Sequence, residues 1–184
     1  MHIESDQTKL HCFSEAIRHA KTKEKKDILW QNIASPLIED VPTQPDIKRV
    51  TFLYLFSLQD LEQNSTVYLY SNINGYPLTE QNKFITISQT DIGYLSLVVP
   101  CHLRGTYNII KLDETSELKP ISEENFIFPR PTGRMAELNN RLNYLFEHNQ
   151  VETDAHNKKE VVYYKNIDNP DEIYGKQSIL VAEL

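Results

Sequence analysis

A thiol stands beside an imidazole at Cys101-His102, the pairing that a cysteine nucleophile and its histidine base require. The flanking residues predict an extended segment, in which adjacent side chains point to opposite faces and cannot share a proton. We therefore expect Cys101 to be a small core residue rather than a nucleophile.

A serine hydrolase of the α/β type places its nucleophile in a strained G-x-S-x-G turn. The five glycines are at positions 75, 93, 105, 133 and 175, and none of them brackets a serine in this way. The sequence thus lacks this nucleophile motif, and we expect no ester hydrolysis and no catalytic residue in the chain.

Other groups of reactive side chains are too sparse for a defined site. His11-Cys12, or His148 together with His156, lacks the third and fourth ligands that a zinc site needs. The acid pairs Glu123-Glu124 and Asp171-Glu172 lie in polar stretches typical of solvated turns, not of a positioned general acid and base. We expect neither a metal nor a cofactor.

Residues 128–134, Phe-Pro-Arg-Pro-Thr-Gly-Arg, combine a restrained backbone with two guanidinium groups, Arg130 and Arg134. Such a positive spot on an acidic protein suits an anionic ligand or an acidic partner surface. The simpler interpretation, which we favour, is a loop that leads into a helix with Thr132 near its cap.

Charge and composition narrow the class of protein. The chain has 184 residues, a formal net charge of −7 and a pI near 5.4. This acidity disfavours nucleic-acid binding, because neutralising phosphates needs a surplus of Lys and Arg. The lysines at 21, 23, 25 and 26 are interrupted by Glu24, as on the solvated face of a helix.

The targeting signals that a sequence can carry are also missing. No stretch reaches the ~18 apolar residues of a membrane span, and the first ten residues have neither the basic nor the apolar region of a signal peptide. Two isolated cysteines, Cys12 and Cys101, fit a reducing compartment, although counting them does not exclude a disulfide. We expect a cytoplasmic protein without membrane or nucleic-acid partners.

Helical periodicity occurs in two regions. From Cys12 to Ile33, apolar residues at spacings of three and four predict a helix in two pieces, broken near Lys23. A proline-containing exit at residues 35–39 ends it, and a connector from Val41 to Pro45 follows. A second helix is predicted within residues 132–148.

Short runs rich in Val, Thr, Tyr and Phe predict strands. Asp60 to Ser65 reads as a polar hairpin loop between the first two strands, and Asn166 to Gly175 as a polar turn between the last two. Several strands at short spacing favour an antiparallel sandwich. The predicted strands cover residues 50–56, 66–71, 83–88, 93–99, 106–112, 161–164 and 178–181.

Three segments occur in an order that resembles a known family. They are similar to a helix that ends in Trp and exits through G-T-P-L-x-E, to a V-T-F-x-x strand with a partner that enters a turn, and to T-D-V-W-Y-x-S … V-P … x-R-x-S-Y-x-F. In this chain the segments are Trp30-Gln31 with residues 35–39, residues 50–54 with 67–75, and residues 90–96 with 99–100 and 103–107. The chain resembles, over nearly its whole length, the N-terminal domain of bacterial enterochelin (ferric-enterobactin) esterases.

This resemblance implies a mainly β fold: an immunoglobulin-like (early-set) β-sandwich with an N-terminal helical arm and a C-terminal helix. The arm and connector would cover residues 1–46, and the sandwich with its C-terminal helix and strands residues 47–184. The implied role is an accessory binding domain in bacterial iron acquisition, with a ferric siderophore or an α/β-hydrolase domain as partner. The match stops where the family's hydrolase domain would begin, so we expect either an excised domain or a stand-alone version.

Several residues have expected roles within this resemblance. Trp30 would cover one end of the sandwich, and Tyr107 would lock a corner through its hydroxyl, as tyrosine corners do in immunoglobulin-like domains. Gly93 stands where the family usually has an aromatic residue, in a turn expected to face the ligand. Arg104 would either pair with Asp91 or a carbonyl, which we favour, or meet a carboxylate or catecholate oxygen. The candidate ligand-binding residues are Arg104, Arg130, Arg134 and Tyr94.

Two further functions stay open. One is a stand-alone protein-interaction module, for example a bacterial effector or adaptor, that reuses the sandwich surface. The other is a carbohydrate-binding module, which needs exposed aromatic side chains. The candidates are Tyr68, Tyr70, Tyr76 and Tyr94, and strand alternation places Tyr68 and Tyr70 on one face.

Overall fold

Two antiparallel sheets and a helical arm make up the computed structural model of the chain, which describes residues 8–74, 80–112, 151–166 and 169–182. The helices are α1 (Lys9–His19), α2 (Lys23–Asn32) and α3 (Leu58–Glu62). The strands are β1 (Leu37–Val41), β2 (Gln44–Leu55), β3 (Thr66–Ser71), β4 (Ile85–Thr86), β5 (Ile92–Pro100), β6 (Arg104–Leu112), β7 (Val151–Glu152), β8 (Glu160–Asn166) and β9 (Asn169–Val181). Short 3₁₀ turns lie at Asn72–Asn74 and Glu80–Asn82.

The strand order confirms the predicted mainly β sandwich. One sheet runs β1-β2-β5-β4 and the other β3-β6-β9-β8, with β7 also paired to β6. If β1 to β6 are lettered A to F in chain order, the first sheet has the order A-B-E-D of an immunoglobulin constant domain. In the second sheet C lies beside F, and β9 takes the place of strand G on the other side of F. The predicted C-terminal helix at 132–148 lies outside the described residues.

The N-terminal arm forms the two predicted helices. Thr8 and Thr22 cap them by accepting hydrogen bonds from backbone N–H groups in the first turn. The break between α1 and α2 falls at residues 20–22, and the lysine-rich part of α2 is exposed, as expected for a solvated face.

Several predicted connections are wrong, because local patterns do not say which strand pairs with which. The predicted connector from Val41 to Pro45 is the turn of a β1–β2 hairpin, with Thr43 in the left-handed region at φ 65°. Asp60 to Ser65 does not close a hairpin, since β2 and β3 lie in different sheets and α3 begins the crossing.

The chain after residue 150 also differs from the prediction. The polar turn expected over Asn166 to Gly175 is largely strand β9, whose polar residues pair with β8. The acid pair Asp171-Glu172 therefore lies in a strand rather than in a loop. Of the strand expected over 83–88, only Ile85–Thr86 forms the β4 ladder with β5. Lys83 and Phe84 pair with β3 of the other sheet instead, through a bridge from Lys83 to Tyr68 and a hydrogen bond from Phe84 N to the carbonyl of Val67.

Strand β2 separates two apolar clusters by simple alternation. Val50, Phe52 and Tyr54 face the second sheet and form the inner core, whereas Leu53 faces outward. The outward cluster is covered by the helical arm and contains Phe13, Ile17, Leu37, Leu53, Ile87 and Ile92, with Leu10, Leu29, Trp30, Ile33 and Tyr94 packed against it. Trp30 therefore covers the outer face of the first sheet rather than the inner core.

Gly93 is buried in β5 and faces the inner core, opposite Tyr54, so the expectation of a ligand-facing turn is wrong. A Cβ atom at Gly93 would lie 2.7 Å from Cε2 of Phe56. The ring of Phe56 fills the space that a side chain at position 93 would need. The absence of an aromatic side chain at position 93 is thus a consequence of how the core packs around Phe56.

Candidate ligand-binding cleft

An open cleft of about 620 Å³ lies between helix α1 and the outer face of the first sheet. Its size is within the range of about 300–1,000 Å³ that is common for small-molecule sites. Most of the residues that line it have polar side chains. The lining residues are Thr8, Leu10, His11, Ser14, Arg18, Glu39, Arg49, Thr51, Thr86, Ile87, Ser88, Tyr94 and Ser96.

The cleft owes its floor to strand alternation. Arg49 and Thr51 on β2, like Leu53, point away from the inner core, and their partners on β5 include Ser96. Thr51 Oγ1 and Ser96 Oγ are hydrogen-bonded at 2.7 Å across the two strands. Toward one end of the first sheet, the side chains that point outward are apolar and pack against α1. The cleft lies beside this packed region.

Two charged residues of the floor, Glu39 and Arg49, face each other across β1 and β2. Glu39 Oε1 accepts a hydrogen bond from the backbone N–H of Lys9 at 2.5 Å, whereas its Oε2 is buried and has no hydrogen-bond partner in the described ranges. Within the described part of the chain, the half-buried guanidinium of Arg49 has no hydrogen bond or ion pair.

The second guanidinium of the cleft is engaged within the fold. Arg18 Nε donates to the carbonyl of Ser88 at 3.2 Å, and its Nη1 pairs with Glu15. These contacts fix α1 to the loop before β5 and make Arg18 part of the cleft wall.

Of the predicted ligand-binding residues, the two that the structure describes, Tyr94 and Arg104, do not come together. Tyr94 lines the cleft and is half-buried, whereas Arg104 is exposed at the start of β6 in the other sheet. Arg130 and Arg134 lie outside the described residues, so their roles stay predictions. Arg49 was missed because its pairing partners are remote in sequence; its position one residue before the apolar run 50–56 was the available signal.

The prediction for Cys101-His102 is wrong on geometry. The two residues form the turn between β5 and β6, where strand alternation does not apply, and Cys101 Sγ lies 3.5 Å from His102 Nδ1. Cys101 is also partly exposed rather than a core residue, and both cysteines are free thiols.

A second polar cluster is buried and closed. Asp154, 2% exposed, accepts hydrogen bonds through Oδ2 from Ser35 Oγ at 2.5 Å and from the Tyr107 hydroxyl at 2.8 Å. Its Oδ1 accepts from the backbone N–H of His156 at 3.0 Å, and its own N–H donates to Ser178 Oγ at 2.9 Å. The cluster joins the helical arm, β6, β9 and the segment after β7.

Tyr107 therefore locks a corner through its hydroxyl, but its acceptor is a side-chain carboxylate downstream. Asn157 Nδ2 donates back to the same hydroxyl at 2.9 Å. Burial, together with the negative charge of Asp154, raises the pKa of Tyr107 far above its usual range. The turn from Asp154 to Asn157 is thus an anchor of the fold.

A third polar cluster surrounds Asp60, which is 3% exposed. Burial alone would raise the pKa of this carboxyl, but hydrogen bonds from Ser57 and Lys111 outweigh burial and lower it. Lys111 Nζ lies 3.0 Å from Asp60 Oδ1, and Ser57 N donates to Asp60 Oδ2 at 2.8 Å. This cluster holds the capping box of α3 against β6.

The face proposed for carbohydrate binding is not an exposed aromatic platform. Tyr70 is 1% exposed, while Tyr68 is half-buried. Tyr94 is in the other sheet, and Tyr76 lies outside the described residues. In the parts of the chain that the structure describes, no helix has the length and apolarity to cross a membrane, and no cluster of His, Cys, Asp or Glu is suited to a metal ion.

These features define a β-sandwich with immunoglobulin strand order, a helical arm and an open polar cleft. No known protein family matches the sequence, and no curated protein matches it significantly. Solved structures do match the fold, and they include enterobactin and enterochelin esterases.

Three of these structures show the extent of the likeness. The ferric enterobactin esterase of Salmonella typhimurium has a TM-score of 0.53 and 16% identity, covering 84% of this chain and 36% of that one. The Shigella flexneri enzyme in the presence of enterobactin has a TM-score of 0.52 and 16% identity, covering 84% of this chain and 34% of that one. The Shigella enzyme in the presence of 2,3-dihydroxy-N-benzoyl-serine has a TM-score of 0.50 and 18% identity, covering 86% of this chain and 36% of that one.

The chain thus spans about a third of the length of these esterases. The resemblance seen in the sequence motifs is confirmed at the level of one domain.

Proposed function

We propose that this chain is a non-catalytic binding domain that serves siderophore chemistry, as an accessory to an ester hydrolase. The observation that carries the proposal is the fold match to enterobactin esterases over 84–86% of this chain. The missing G-x-S-x-G motif supports a role in binding rather than in hydrolysis. Bacterial iron acquisition and a cytoplasmic location belong to this proposal.

The cleft beside α1 is the proposed ligand site, with Tyr94 as an aromatic contact. Catecholate ligands combine aromatic rings with several oxygen atoms, and the cleft offers hydroxyl groups, a guanidinium and a tyrosine ring. Arg104, in the other sheet, is proposed as a contact to a partner domain. An α/β-hydrolase domain is the partner that the resemblance suggests.

Isothermal titration of the purified chain with ferric enterobactin tests this proposal. We expect saturable binding at micromolar concentrations, weakened at least severalfold by Tyr94→Ala. Lys158→Gln, which alters an exposed residue outside the cleft, should bind as the parent chain does. Absence of saturable binding in this range would overturn the proposal and favour a protein-interaction module.

Hydrolysis of enterobactin is the complementary measurement. The purified chain should release no dihydroxybenzoyl-serine above the buffer rate. Turnover that persists in Cys101→Ser after repurification would contradict the non-catalytic role.

A further inference from the structure

Arg49 is a cation in the floor of the cleft that has no partner among the described residues. It is half-buried, and the described residues supply neither a hydrogen bond nor an ion pair to its side chain. A guanidinium carries five N–H donors in a planar fork, and this fork matches the two oxygens of a carboxylate. The cleft thus contains an anion-binding group that the fold does not use.

Glu39 is the complementary group on the neighbouring strand. Its Oε1 is held by the N–H of Lys9, so the carboxylate is fixed at the start of α1. Its Oε2 is buried and accepts no hydrogen bond from the residues that the structure describes. A small turn of the carboxylate toward the cleft would offer this unused acceptor to an O–H or N–H donor of a ligand. Unsatisfied buried acceptors are rare in folded proteins, so a ligand that supplies a donor would stabilise this site.

The register brings the two groups within reach of one small molecule. Glu39 and Arg49 are direct partners across β1 and β2, and such partners have Cβ atoms about 4.5–5.5 Å apart. No ion pair joins them in the described structure, so each side chain keeps its capacity for a ligand.

We infer that the cleft binds a small hydroxylated or amide-bearing monocarboxylate, with Arg49 as the carboxylate anchor and Glu39 as the acceptor for a neighbouring ligand donor. Glu39 also restricts the charge of the ligand, because its own negative charge disfavours an anion of higher charge, such as phosphate with its mixture of monoanion and dianion at pH 7, at the same place. This inference rests on the proposed binding role of the same cleft.

The test compares 2,3-dihydroxybenzoyl-serine with its carboxamide by isothermal titration at pH 7. We expect the acid to bind roughly tenfold or more tightly than the amide, because a charge-assisted hydrogen bond contributes more than a neutral one. Arg49→Gln should remove this difference, Arg49→Lys should keep part of it, and Lys158→Gln should leave it unchanged. Equal binding of acid and amide, or an unchanged difference in Arg49→Gln, would overturn the inference.

Inorganic phosphate tests the role of Glu39. Phosphate should compete weakly with the acid in the parent chain and several times better in Glu39→Gln, which removes the repelling charge and keeps the length of the side chain. Equal competition in both proteins would overturn the assigned role of Glu39. The circular dichroism and melting temperature of each variant check that the fold is intact.

The outcomes separate this inference from the proposed function. If ferric enterobactin binds but the acid shows no dependence on Arg49, the inference falls and the proposed function stands. If the acid binds through Arg49 but ferric enterobactin does not bind, the reverse holds. If neither ligand binds, both are wrong.

Discussion

The cleft beside α1 and the cluster around Asp154 use the same kinds of group in opposite ways. Asp154 has both oxygens occupied and joins four parts of the chain. Glu39 has one oxygen that accepts a hydrogen bond and one that accepts none, and the neighbouring Arg49 is unpaired, as far as the described residues show. Carboxylates whose capacity is used internally hold a fold together, whereas those left incomplete at an open cleft are available for binding.

Removal of each carboxylate is the strongest test of this comparison. Asp154→Ala should lower the free energy of unfolding by about 3 kcal/mol or more, because it leaves several buried donors without an acceptor. Glu39→Ala, the matched variant in the cleft, should cost about 1 kcal/mol or less. Urea unfolding at pH 7 measures both. Similar losses in the two variants would show that the cleft carboxylate is also a structural group.

Asp60 extends the comparison to pH, since its pKa is lowered in the folded state. A carboxyl with a lowered pKa stabilises the fold above its unfolded pKa of about 3.9, and this contribution is lost as the pH falls through the folded value. Asp60→Asn should therefore cost about 2 kcal/mol at pH 7, where Lys111 loses the nearer of its two carboxylate partners, Asp60 and Glu152. The difference from the parent chain should shrink below about pH 4. A gap that stays constant from pH 7 to pH 3 would contradict this account.

Gly93 and Tyr94 are neighbours on β5 that face the inner core and the cleft, respectively. Gly93→Ala should lower stability by about 1 kcal/mol through the close contact with Phe56, without changing ligand affinity. Thermal unfolding and ligand titration of the same samples separate the two effects. Phe56→Leu in the same chain should reduce the cost of the alanine, whereas additive losses would mean that the ring is not the obstacle.

The smallest expected effect is on the stability of Arg49→Gln. Because this guanidinium makes no hydrogen bond or ion pair within the described residues, its loss should change the free energy of unfolding by no more than about 0.5 kcal/mol. Lys158→Gln is the control for loss of one positive charge. A loss above about 1.5 kcal/mol by urea unfolding would place Arg49 among the structural groups.

Local chemistry predicted the elements better than their connections. The break between α1 and α2, the strands around residues 50–56 and 106–112, and the sandwich class follow from residue spacing and β-branched content. The hairpin loop predicted over Asp60 to Ser65 is wrong because a polar loop has the same composition whether the chain turns back or crosses to another sheet. The turn predicted over residues 166–175 is wrong because a polar strand lacks the apolar alternation by which strands are identified.

The candidate site was predicted only in part. Tyr94 lies in the cleft, but Arg104 does not line it, and no binding role was predicted for Arg49 or for Glu39, the last residue of the resemblance segment 35–39. Their significance depends on which side chains remain without partners after folding. Cys101-His102 shows the same limit, since a tight turn brought together two side chains that an extended chain would separate.

The sequence by itself determined the periodicity of the elements, the acidic charge, the missing nucleophile motif and the resemblance to an esterase domain, because each depends on residue types and short spacings. Tertiary structure alone decided that both oxygens of Asp154 accept hydrogen bonds from the described residues whereas only one oxygen of Glu39 does. It also decided that Gly93 lies under Phe56 and that Arg49 faces a cleft. The physical reason is that hydrogen-bond capacity is used up by long-range pairs, which form only when strands and helices distant in the chain pack together.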